Sequence, residues 1–160
     1  MGTTIPAFAM QAGVGTALET PTGDTVIVQA DTGQTNGSMT VLELEVGPKR
    51  GPALHTHHRD DELWVVLEGE FRFKAGGAIL RASTGGAAFG PRGTPHAFQN
   101  IGEAPGRLLI VTTPSGIEGF FQDFAARLRG GSVGPEALLE VGLAYGIEFV
   151  GPPVAVSDPL

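Results

Sequence analysis

Three imidazoles and one carboxylate stand in two short segments of the chain, and these are residue types that bind transition metals. His55 and His57 are two residues apart, and Glu62 follows them after a short acidic connection. His96 lies further along, directly after the turn-forming run Gly93-Thr94-Pro95. Residues two apart on a β-strand face the same side, so His55 and His57 can converge on one ion. The spacing therefore predicts a metal site built from four side chains.

The chemistry of these donors limits which ion the site would hold. Imidazole and carboxylate without thiolate suit one divalent transition metal ion, and the sequence does not distinguish iron, nickel, manganese, copper, cobalt and zinc. Around a six-coordinate ion, four protein ligands would leave two positions open to water, oxygen or substrate. An open site of this kind is expected to be reactive, whereas a closed one would be structural.

Two residues in the first segment need separate roles. His58 follows His57 directly, and strand alternation turns it to the opposite face, so we expect it to be exposed and unliganded. Glu62 is the catalytic candidate, because it can act as a base if its carboxylate leaves the metal. A bound cation would lower the pKa of Glu62 and work against that role, which favours ligation alone.

Short apolar runs separated by glycine and proline surround these residues. The chain has 160 residues, of which 25 are glycine and 12 are proline. Strands are predicted over Thr16–Glu19, Thr25–Gln29, Thr40–Val46, Leu54–His57, Glu62–Leu67, Glu70–Lys74, Ala78–Arg81, Ala87–Phe89, His96–Asn100 and Arg107–Thr113. No gap between them is long enough for the crossover helix that parallel strands need. The pattern is typical of an all-β antiparallel sandwich or small barrel.

Strand alternation also predicts what surrounds the ligands inside such a barrel. Trp64 shares a face with Glu62, and Phe98 shares a face with His96. Both aromatic residues are candidates for contacting substrate, with ordinary core packing as the alternative. The interior is expected to be aromatic and nearly uncharged, which favours a small apolar or aromatic ligand.

Helical periodicity replaces strand alternation in the C-terminal third. Apolar residues recur at helical spacing from 117 to 128, and Gly130-Gly131 supplies a stop. Ser115 and Glu118 have the spacing of a capping box at the start of this helix. A second helix is predicted from Pro135 to Tyr145. We expect the apolar stripe of the first helix to pack on the outside of the barrel.

The chain divides into three parts within a single predicted domain. Residues 1–38 hold the first strands and a polar loop, Asp31–Ser38, and would join the barrel or a dimer partner. Residues 39–114 form the barrel core. Residues 115–160 contain the helices and a proline-broken tail, Phe149–Val156, which is predicted to pack on the body.

Charge and composition exclude several classes of partner. The net charge of −7 argues against nucleic acid, because phosphate binding requires a basic face. No uncharged apolar stretch approaches ~18 residues, so no membrane span is expected. The absence of cysteine fits a reducing compartment, and Met1–Pro6 lacks the features of a signal peptide. These features predict a cytoplasmic protein.

The two ligand segments resemble the paired motifs of the cupins, a family of small jelly-roll barrels. His55-x-His57-x4-Glu62-x6-Gly69 is similar to the first motif. The second motif is matched at each fixed position, by Gly85, Pro91, Gly93, His96 and Asn100. Lys49 departs from the pattern, because the first motif normally opens with a glycine there. The flanking Gly47 and Gly51 are expected to preserve the turn.

This resemblance implies an antiparallel jelly-roll (cupin) barrel with one or two C-terminal α-helices packed on the outside. It also implies a metal ion held by His55, His57, Glu62 and His96. A homodimer is implied as well, in which an early strand such as Thr25–Gln29 could add to the sheet edge of a neighbour. Leu63–Phe73 and Phe89–Phe98, with Pro114–Phe124 and Tyr145–Phe149, are similar to bacterial cupins grouped with quercetin dioxygenases.

Three functions follow from this resemblance and from the residues. The leading hypothesis is a metal-dependent dioxygenase that acts on a small aromatic or enolic substrate. A metal-dependent isomerase or lyase is a second possibility, although its pocket should carry several lysines, arginines or acids. The third is a non-enzymatic small-molecule-binding cupin whose metal is structural.

Overall fold

Two antiparallel β-sheets form the body of the protein. The computed structural model describes residues 4–131 and 134–160, and within these ranges one sheet has six strands and the other has five. The strands are β1 (Thr16–Glu19), β2 (Thr25–Ala30), β3 (Thr40–Val46), β4 (Ala53–His57), β5 (Asp61–Glu68), β6 (Glu70–Ala75), β7 (Ala78–Ser83), β8 (Ala87–Gly90), β9 (His96–Asn100), β10 (Gly106–Thr113) and β11 (Ile147–Pro153). The helices are α1 (Thr32–Thr35), α2 (Ile117–Arg129), α3 (Pro135–Ala144) and α4 (Val154–Ser157).

The order of the strands is that of a jelly roll. The six-stranded sheet runs β1-β2-β3-β10-β5-β8, and the five-stranded sheet runs β11-β4-β9-β6-β7. The predicted fold class is therefore confirmed, and every predicted strand is present with ends that differ by one or two residues at most. Helices α2 and α3 confirm the predicted C-terminal helices. Residues 1–3 of the predicted N-terminal part, and residues 132–133 between α2 and α3, lie outside the described ranges.

The core lies between the facing sides of the two sheets. Trp64 on β5, Phe71 and Phe73 on β6, Leu42 on β3 and Leu108 on β10 are among its largest fully buried side chains. Their neighbours in the chain point away from this core because successive residues on a strand face opposite sides of the sheet. Burying a side chain of this size contributes about 1.5 to 3 kcal/mol, so this alternation stabilises the barrel that carries the site.

The segment Phe149–Val156 packs on the body as predicted, but most of it does so as a strand that the sequence did not predict: its first five residues belong to β11, and the buried Val154 begins α4. β11 pairs antiparallel with β4, and Ile147 and Phe149 stand opposite His57 and His55. The register shifts at Gly151 and again at Pro153. These shifts, together with the prolines, remove the regular alternation that identifies a strand in the sequence.

The predicted polar loop Asp31–Ser38 contains a short helix. The Asp31 side chain accepts a hydrogen bond from the Gln34 backbone N–H at 2.8 Å, and the Gln34 side chain accepts one from the Asp31 N–H at 3.1 Å. This reciprocal pair is a capping box, and it holds the single turn of α1 (Thr32–Thr35).

The capping box predicted for Ser115 and Glu118 is absent from the start of α2. The N-cap residue is Gly116, and no side chain caps the helix there. Glu118 is instead buried, and its carboxylate accepts hydrogen bonds from the Thr32 backbone N–H at 2.8 Å and from the Thr32 and Thr40 hydroxyls. Glu118 therefore joins the N-terminal region, the barrel and α2.

The strand proposed from sequence for pairing with a second molecule is already paired. β1 and β3 hydrogen-bond to the two sides of β2, so Thr25–Gln29 offers no free edge in this structure, whereas the other early strand, β1, lies at the edge of its sheet. The homodimer itself stays a prediction. Among the helices of the described ranges, none has the length and apolar character needed to cross a bilayer.

Candidate metal centre

The four predicted ligands meet inside the barrel. The potential ligand atoms of His55, His57, Glu62 and His96 all lie within 4.8 Å of one another. Two atoms on opposite sides of one ion, each about 2.1 Å from it, would be about 4.2 Å apart. The separation of up to 4.8 Å between ligand atoms exceeds this distance by about 0.6 Å. Small side-chain rotations can close that gap. The donor set and its spacing therefore fit one transition metal ion.

Strand pairing explains how the histidines come together. β4 carries His55 and His57 on one face, and its neighbour β9 places His96 directly opposite His55. The ring centroids of His55 and His96 are 4.8 Å apart, and those of His57 and His96 are 5.0 Å apart. All three imidazoles thus project from one sheet toward the interior.

The carboxylate comes from the opposite sheet. Glu62 lies on β5, and its Oε2 is 3.1 Å from His96 Nε2 and 3.5 Å from His57 Nε2. An ion at this point would be held between the two sheets. This arrangement requires the complete barrel and cannot form from either ligand segment alone.

The environment favours the protonation states that bind a cation. Burial, together with repulsion from His57 and His96, lowers the pKa of His55 to about 3, so this imidazole is neutral at physiological pH. Burial raises the pKa of Glu62, but the neighbouring imidazoles outweigh burial and hold it at about 2. Metal ligands must be neutral imidazoles and ionised carboxylates, so both groups are ready to bind.

His57 differs from His55 in its electrostatic environment. Burial lowers its pKa, but the Glu62 charge and the hydrogen bond to Asp60 outweigh burial and leave the pKa raised. A proton on this ring competes with a metal ion for the imidazole nitrogen. Binding of a cation is therefore expected to release a proton from this part of the site.

Each imidazole is held through its Nδ1 atom. His55 Nδ1 donates to the Ala53 carbonyl oxygen at 2.7 Å, and His96 Nδ1 donates to the Thr94 carbonyl oxygen at 3.0 Å. Carbonyl oxygens only accept, so Nδ1 carries a proton in both rings, and in the neutral form of each ring Nε2 then has the lone pair that can bind a metal. His57 Nδ1 lies 2.7 Å from a carboxylate oxygen of Asp60. All three rings are thus oriented for binding through Nε2.

A cavity of about 280 Å³ opens beside the ligands. His55, His57 and Glu62 contribute to its wall. Most of the remaining wall is apolar, and its larger side chains are Leu42, Leu44, Phe98, Ile110, Ile117, Phe120, Phe121, Leu138, Ile147 and Phe149. A volume of this size accommodates one small molecule directly against the candidate ligands.

The two predicted substrate-contacting aromatic residues occupy different places. Phe98 lines the cavity. Trp64 is not among the described residues that line it, and its indole packs edge-on against His96 with ring centroids 5.1 Å apart. Trp64 is fully buried and also contacts Phe73, so it packs against the candidate ligand His96 from within the core.

His58 lies outside this arrangement, as strand alternation predicts. It is exposed, and its Nε2 is 2.9 Å from a carboxylate oxygen of Glu148 on β11. It is not a member of the cluster of potential ligands.

Several residues of the site were not identified from the sequence. Phe120 and Phe121 on α2 and Phe149 on β11 line the cavity, although the helix stripe was expected only to pack on the outside of the barrel. Asp60, which contacts His57, was treated as part of an acidic connection. The apolar stripe of α2 signalled a buried face, but nothing in its spacing indicates which surface that face covers.

Comparison with known proteins agrees with this geometry. The cupin domain family model matches residues 40–112, which include all four candidate ligands. An uncharacterized protein of Methanocaldococcus jannaschii is 30% identical over 61 residues, which make up 38% of this chain. The matched segment spans about half of that relative, 49% of its length.

Solved structures show the same fold. A protein from Thermus thermophilus is 28% identical with a TM-score of 0.53, and the match covers 59% of this chain and 87% of that one. KdgF from Halomonas sp. is 18% identical with a TM-score of 0.62, covering 71% and 98% of the two chains. A predicted oxalate decarboxylase from Thermotoga maritima is 18% identical with a TM-score of 0.58, covering 67% and 99%. The two motifs and the strands that carry the four candidate ligands thus lie within the segment that the cupin domain model matches, residues 40–112.

Proposed function

We propose that this protein is a metal-dependent oxidoreductase, a dioxygenase that acts on a small aromatic or enolic molecule. One observation carries the proposal: three histidines and one glutamate form a cluster, and three of these residues, His55, His57 and Glu62, line a cavity whose wall is largely apolar. A bound transition metal would supply a Lewis acid and a route for reaction with dioxygen. The protein would supply the shape of the cavity, keep water out of it and orient the substrate.

The cavity wall supports a planar, weakly polar substrate. Phe98 and Phe149 line the cavity on strands that carry or adjoin the ligands, and Phe149 packs against His55 with ring centroids 5.9 Å apart. An aromatic molecule can pack against these rings in offset or edge-to-face geometry. The apolar wall also excludes water, which strengthens electrostatic interactions at the ligands.

Glu62 is better suited to ligation than to proton transfer. Its pKa of about 2 makes it a weak base at physiological pH, and a bound cation would lower that pKa further. We therefore assign Glu62 to holding the ion, and a substrate that enters as its enolate or phenolate would not require a base here.

The same wall argues against the isomerase or lyase alternative. Apart from the ligand cluster, Asp24 is the charged residue among the described residues that line the cavity, and its carboxylate lies 3.3 Å from Arg50 Nη1. A sugar-like or acidic substrate would need several polar or cationic partners, and it would leave its own polar groups unpaired in this cavity.

Oxygen consumption tests the proposal. Protein loaded in turn with iron, nickel, manganese, copper, cobalt and zinc is mixed with flavonols, catechols and β-diketones, and dissolved oxygen and substrate absorbance are followed. We expect oxygen uptake with at least one pair of metal and substrate, loss of uptake in His96→Ala, and unchanged uptake in His58→Ala. Absence of turnover with any pair, despite bound metal, would contradict the proposal. If a compound raises Tm but is recovered unchanged, the protein is instead a non-enzymatic binding protein.

A further inference from the structure

We infer that Asp60 is a positioning residue of the metal centre, which orients His57 and balances the charge of a divalent cation. The inference rests on the metal binding in the proposed function and not on the reaction proposed there. Asp60 lies in the turn between β4 and β5, outside the cluster of four candidate ligands.

The geometry of Asp60 sets it apart from an ordinary loop residue. Its relative exposure is 6%, and its Oδ2 lies 2.7 Å from His57 Nδ1. Removing a carboxylate from water is costly unless a polar group compensates for the lost hydration. Within the described part of the chain, the hydrogen bond to His57 is the one that compensates it. The turn therefore places a charge next to a ligand at an energetic cost.

The contact distinguishes His57 from the other two imidazoles. The Nδ1 atoms of His55 and His96 donate to neutral backbone carbonyls, whereas that of His57 faces an ionised acceptor. Hydrogen bonds to an ionised group are roughly twice as strong as neutral ones. A carboxylate behind a ligating histidine fixes its tautomer and orientation, and it also raises the basicity of the nitrogen that binds the metal. Asp60 would make His57 the strongest neutral donor of the site.

Charge balance gives an independent reason for a second carboxylate. A divalent cation bound by Glu62 and three neutral imidazoles would leave one positive charge inside a buried site. Asp60, which contacts the ligand His57, adds a second negative charge, so the net charge of the buried centre becomes zero. Uncompensated charge in an interior is strongly unfavourable, so removal of this carboxylate should weaken cation binding.

The neighbouring Asp61 provides a matched comparison. Its carboxylate is turned outward and makes an ion pair with Arg92 at 2.9 Å, in addition to a hydrogen bond from the Arg92 backbone N–H. Asp60 and Asp61 are adjacent and chemically identical, but only Asp60 contacts a candidate ligand. Replacing each by asparagine therefore removes the same charge from two positions, of which only one contacts the metal centre.

Metal affinity of the full-length protein measures the effect. Co²⁺ binding is determined by competition with a chelator for the parent protein, Asp60→Asn and Asp61→Asn. We expect Asp60→Asn to raise the Kd about 10- to 100-fold, as loss of a group behind a metal ligand does. Asp61→Asn should leave the Kd unchanged, and Asp60→Glu should restore part of the lost affinity because it keeps the charge. A parent protein that binds no Co²⁺ would overturn both the inference and the metal site.

A spectroscopic measurement separates positioning from a merely structural role. In the Co²⁺ protein, each Nδ1–H of a bound histidine gives its own exchangeable, strongly shifted proton resonance. Asp60→Asn should move the resonance of one histidine and leave the other two in place, at a Tm that shows the protein to be folded. A folded Asp60→Asn protein with the parent Kd and three unmoved resonances would overturn the inference. A parent protein that binds Co²⁺ as described but turns over no substrate would contradict the proposed oxidoreductase activity and leave the inference about Asp60 in place.

Discussion

His55 on β4 and Phe149 on β11 are cross-strand partners, with ring centroids 5.9 Å apart. A candidate metal ligand within residues 40–112, the segment that the cupin domain model matches, is thus paired with an aromatic residue from the C-terminal segment that follows it. Phe120 and Phe121 on α2 extend the same wall of the cavity. The candidate ligands belong to the barrel, whereas much of the cavity wall belongs to the chain that follows it.

Replacement of Phe149 should therefore change ligand binding without changing metal binding. Phe149→Ala removes an aromatic ring from the cavity wall and leaves the four ligands in place. We expect the affinity of the zinc-loaded protein for an aromatic ligand such as a flavonol to fall about tenfold, the equivalent of one lost aromatic contact. Isothermal titration calorimetry measures this affinity.

The control for this change is Phe89→Ala. Phe89 lies on β8, is 53% exposed and is not among the described residues that line the cavity. Its replacement should leave the flavonol affinity unchanged. Equal effects of the two substitutions would show that Phe149 does not contact the ligand.

His96→Ala should remove the metal from a folded protein. His96 is fully buried and closes the ligand set from β9, so its loss leaves three ligands and an enlarged cavity. Elemental analysis of protein purified without added metal should find metal in the parent and very little in the variant. Far-UV circular dichroism should retain the β spectrum.

His58→Ala is the matched substitution for His96→Ala. His58 is exposed and contacts Glu148 at the surface. The metal content and Tm of His58→Ala should therefore equal those of the parent. Loss of metal from His58→Ala would show that the ion is bound at a different place from the one described.

Close packing behind the ligands predicts a strong effect at Gly90. A Cβ atom at Gly90 would lie 2.5 Å from the indole of Trp64 and 3.1 Å from Nδ1 of His96. Trp64 is 1% exposed and has no room to retreat, so Gly90→Ala should cost about 1 to 3 kcal/mol of unfolding free energy. The displaced indole should also push His96 and weaken Co²⁺ binding.

Gly77→Ala provides the comparison for Gly90→Ala, because nothing lies within 4 Å of a Cβ atom at that position. Alanine restricts the unfolded chain more than glycine, so this substitution should be neutral or slightly stabilising. Urea unfolding of both variants gives the two free energies. An unfolding free energy of Gly90→Ala equal to that of the parent would mean that the core around Trp64 can rearrange.

The ligands and most strands could be predicted because their signals are local. His55, His57 and Glu62 are close in the chain, and a strand with alternating residues fixes which side chains share a face. β11 was missed because Pro152 and Pro153 interrupt its alternation and its pairing with β4 is irregular. A strand of this kind is defined by its partner, which the sequence alone does not reveal.

Asp60 and Glu118 show a second reason why some side-chain contacts could not be predicted from the sequence. Each has an ordinary local interpretation, Asp60 as part of an acidic turn and Glu118 as half of a capping box. The partners of Glu118, Thr32 and Thr40, come from distant parts of the chain, so local spacing carries no information about them. His57, the partner of Asp60, is only three residues away, but the sequence does not show that the turn between β4 and β5 directs the two side chains at each other.

Glu118→Gln should make the protein less stable in a pH-dependent way. Both carboxylate oxygens of Glu118 accept hydrogen bonds, from Thr32 on one side and from Thr40 and the Gly116 N–H on the other. An amide would turn an NH₂ group toward one set of these donors, so we expect a loss of about 2 to 3 kcal/mol at pH 7. In a protein of this size the Tm should fall by about 5 to 10 °C.

The direction of the pH dependence follows from the pKa of Glu118. Burial raises this pKa, but hydrogen bonds from Thr32 and Thr40 outweigh burial and leave it below the usual value of 4.5. A carboxyl whose pKa is lower in the folded state stabilises the protein fully above the unfolded pKa, and this contribution is lost as the pH falls through the folded pKa. The difference in unfolding free energy between the parent and Glu118→Gln should therefore be constant from neutral pH down to about pH 5 and shrink below about pH 4. Urea titrations across this range measure it, with the exposed Glu136→Gln as the control that should show no such difference. A difference that stays constant below about pH 4 would mean that the charge of Glu118 does not contribute to stability.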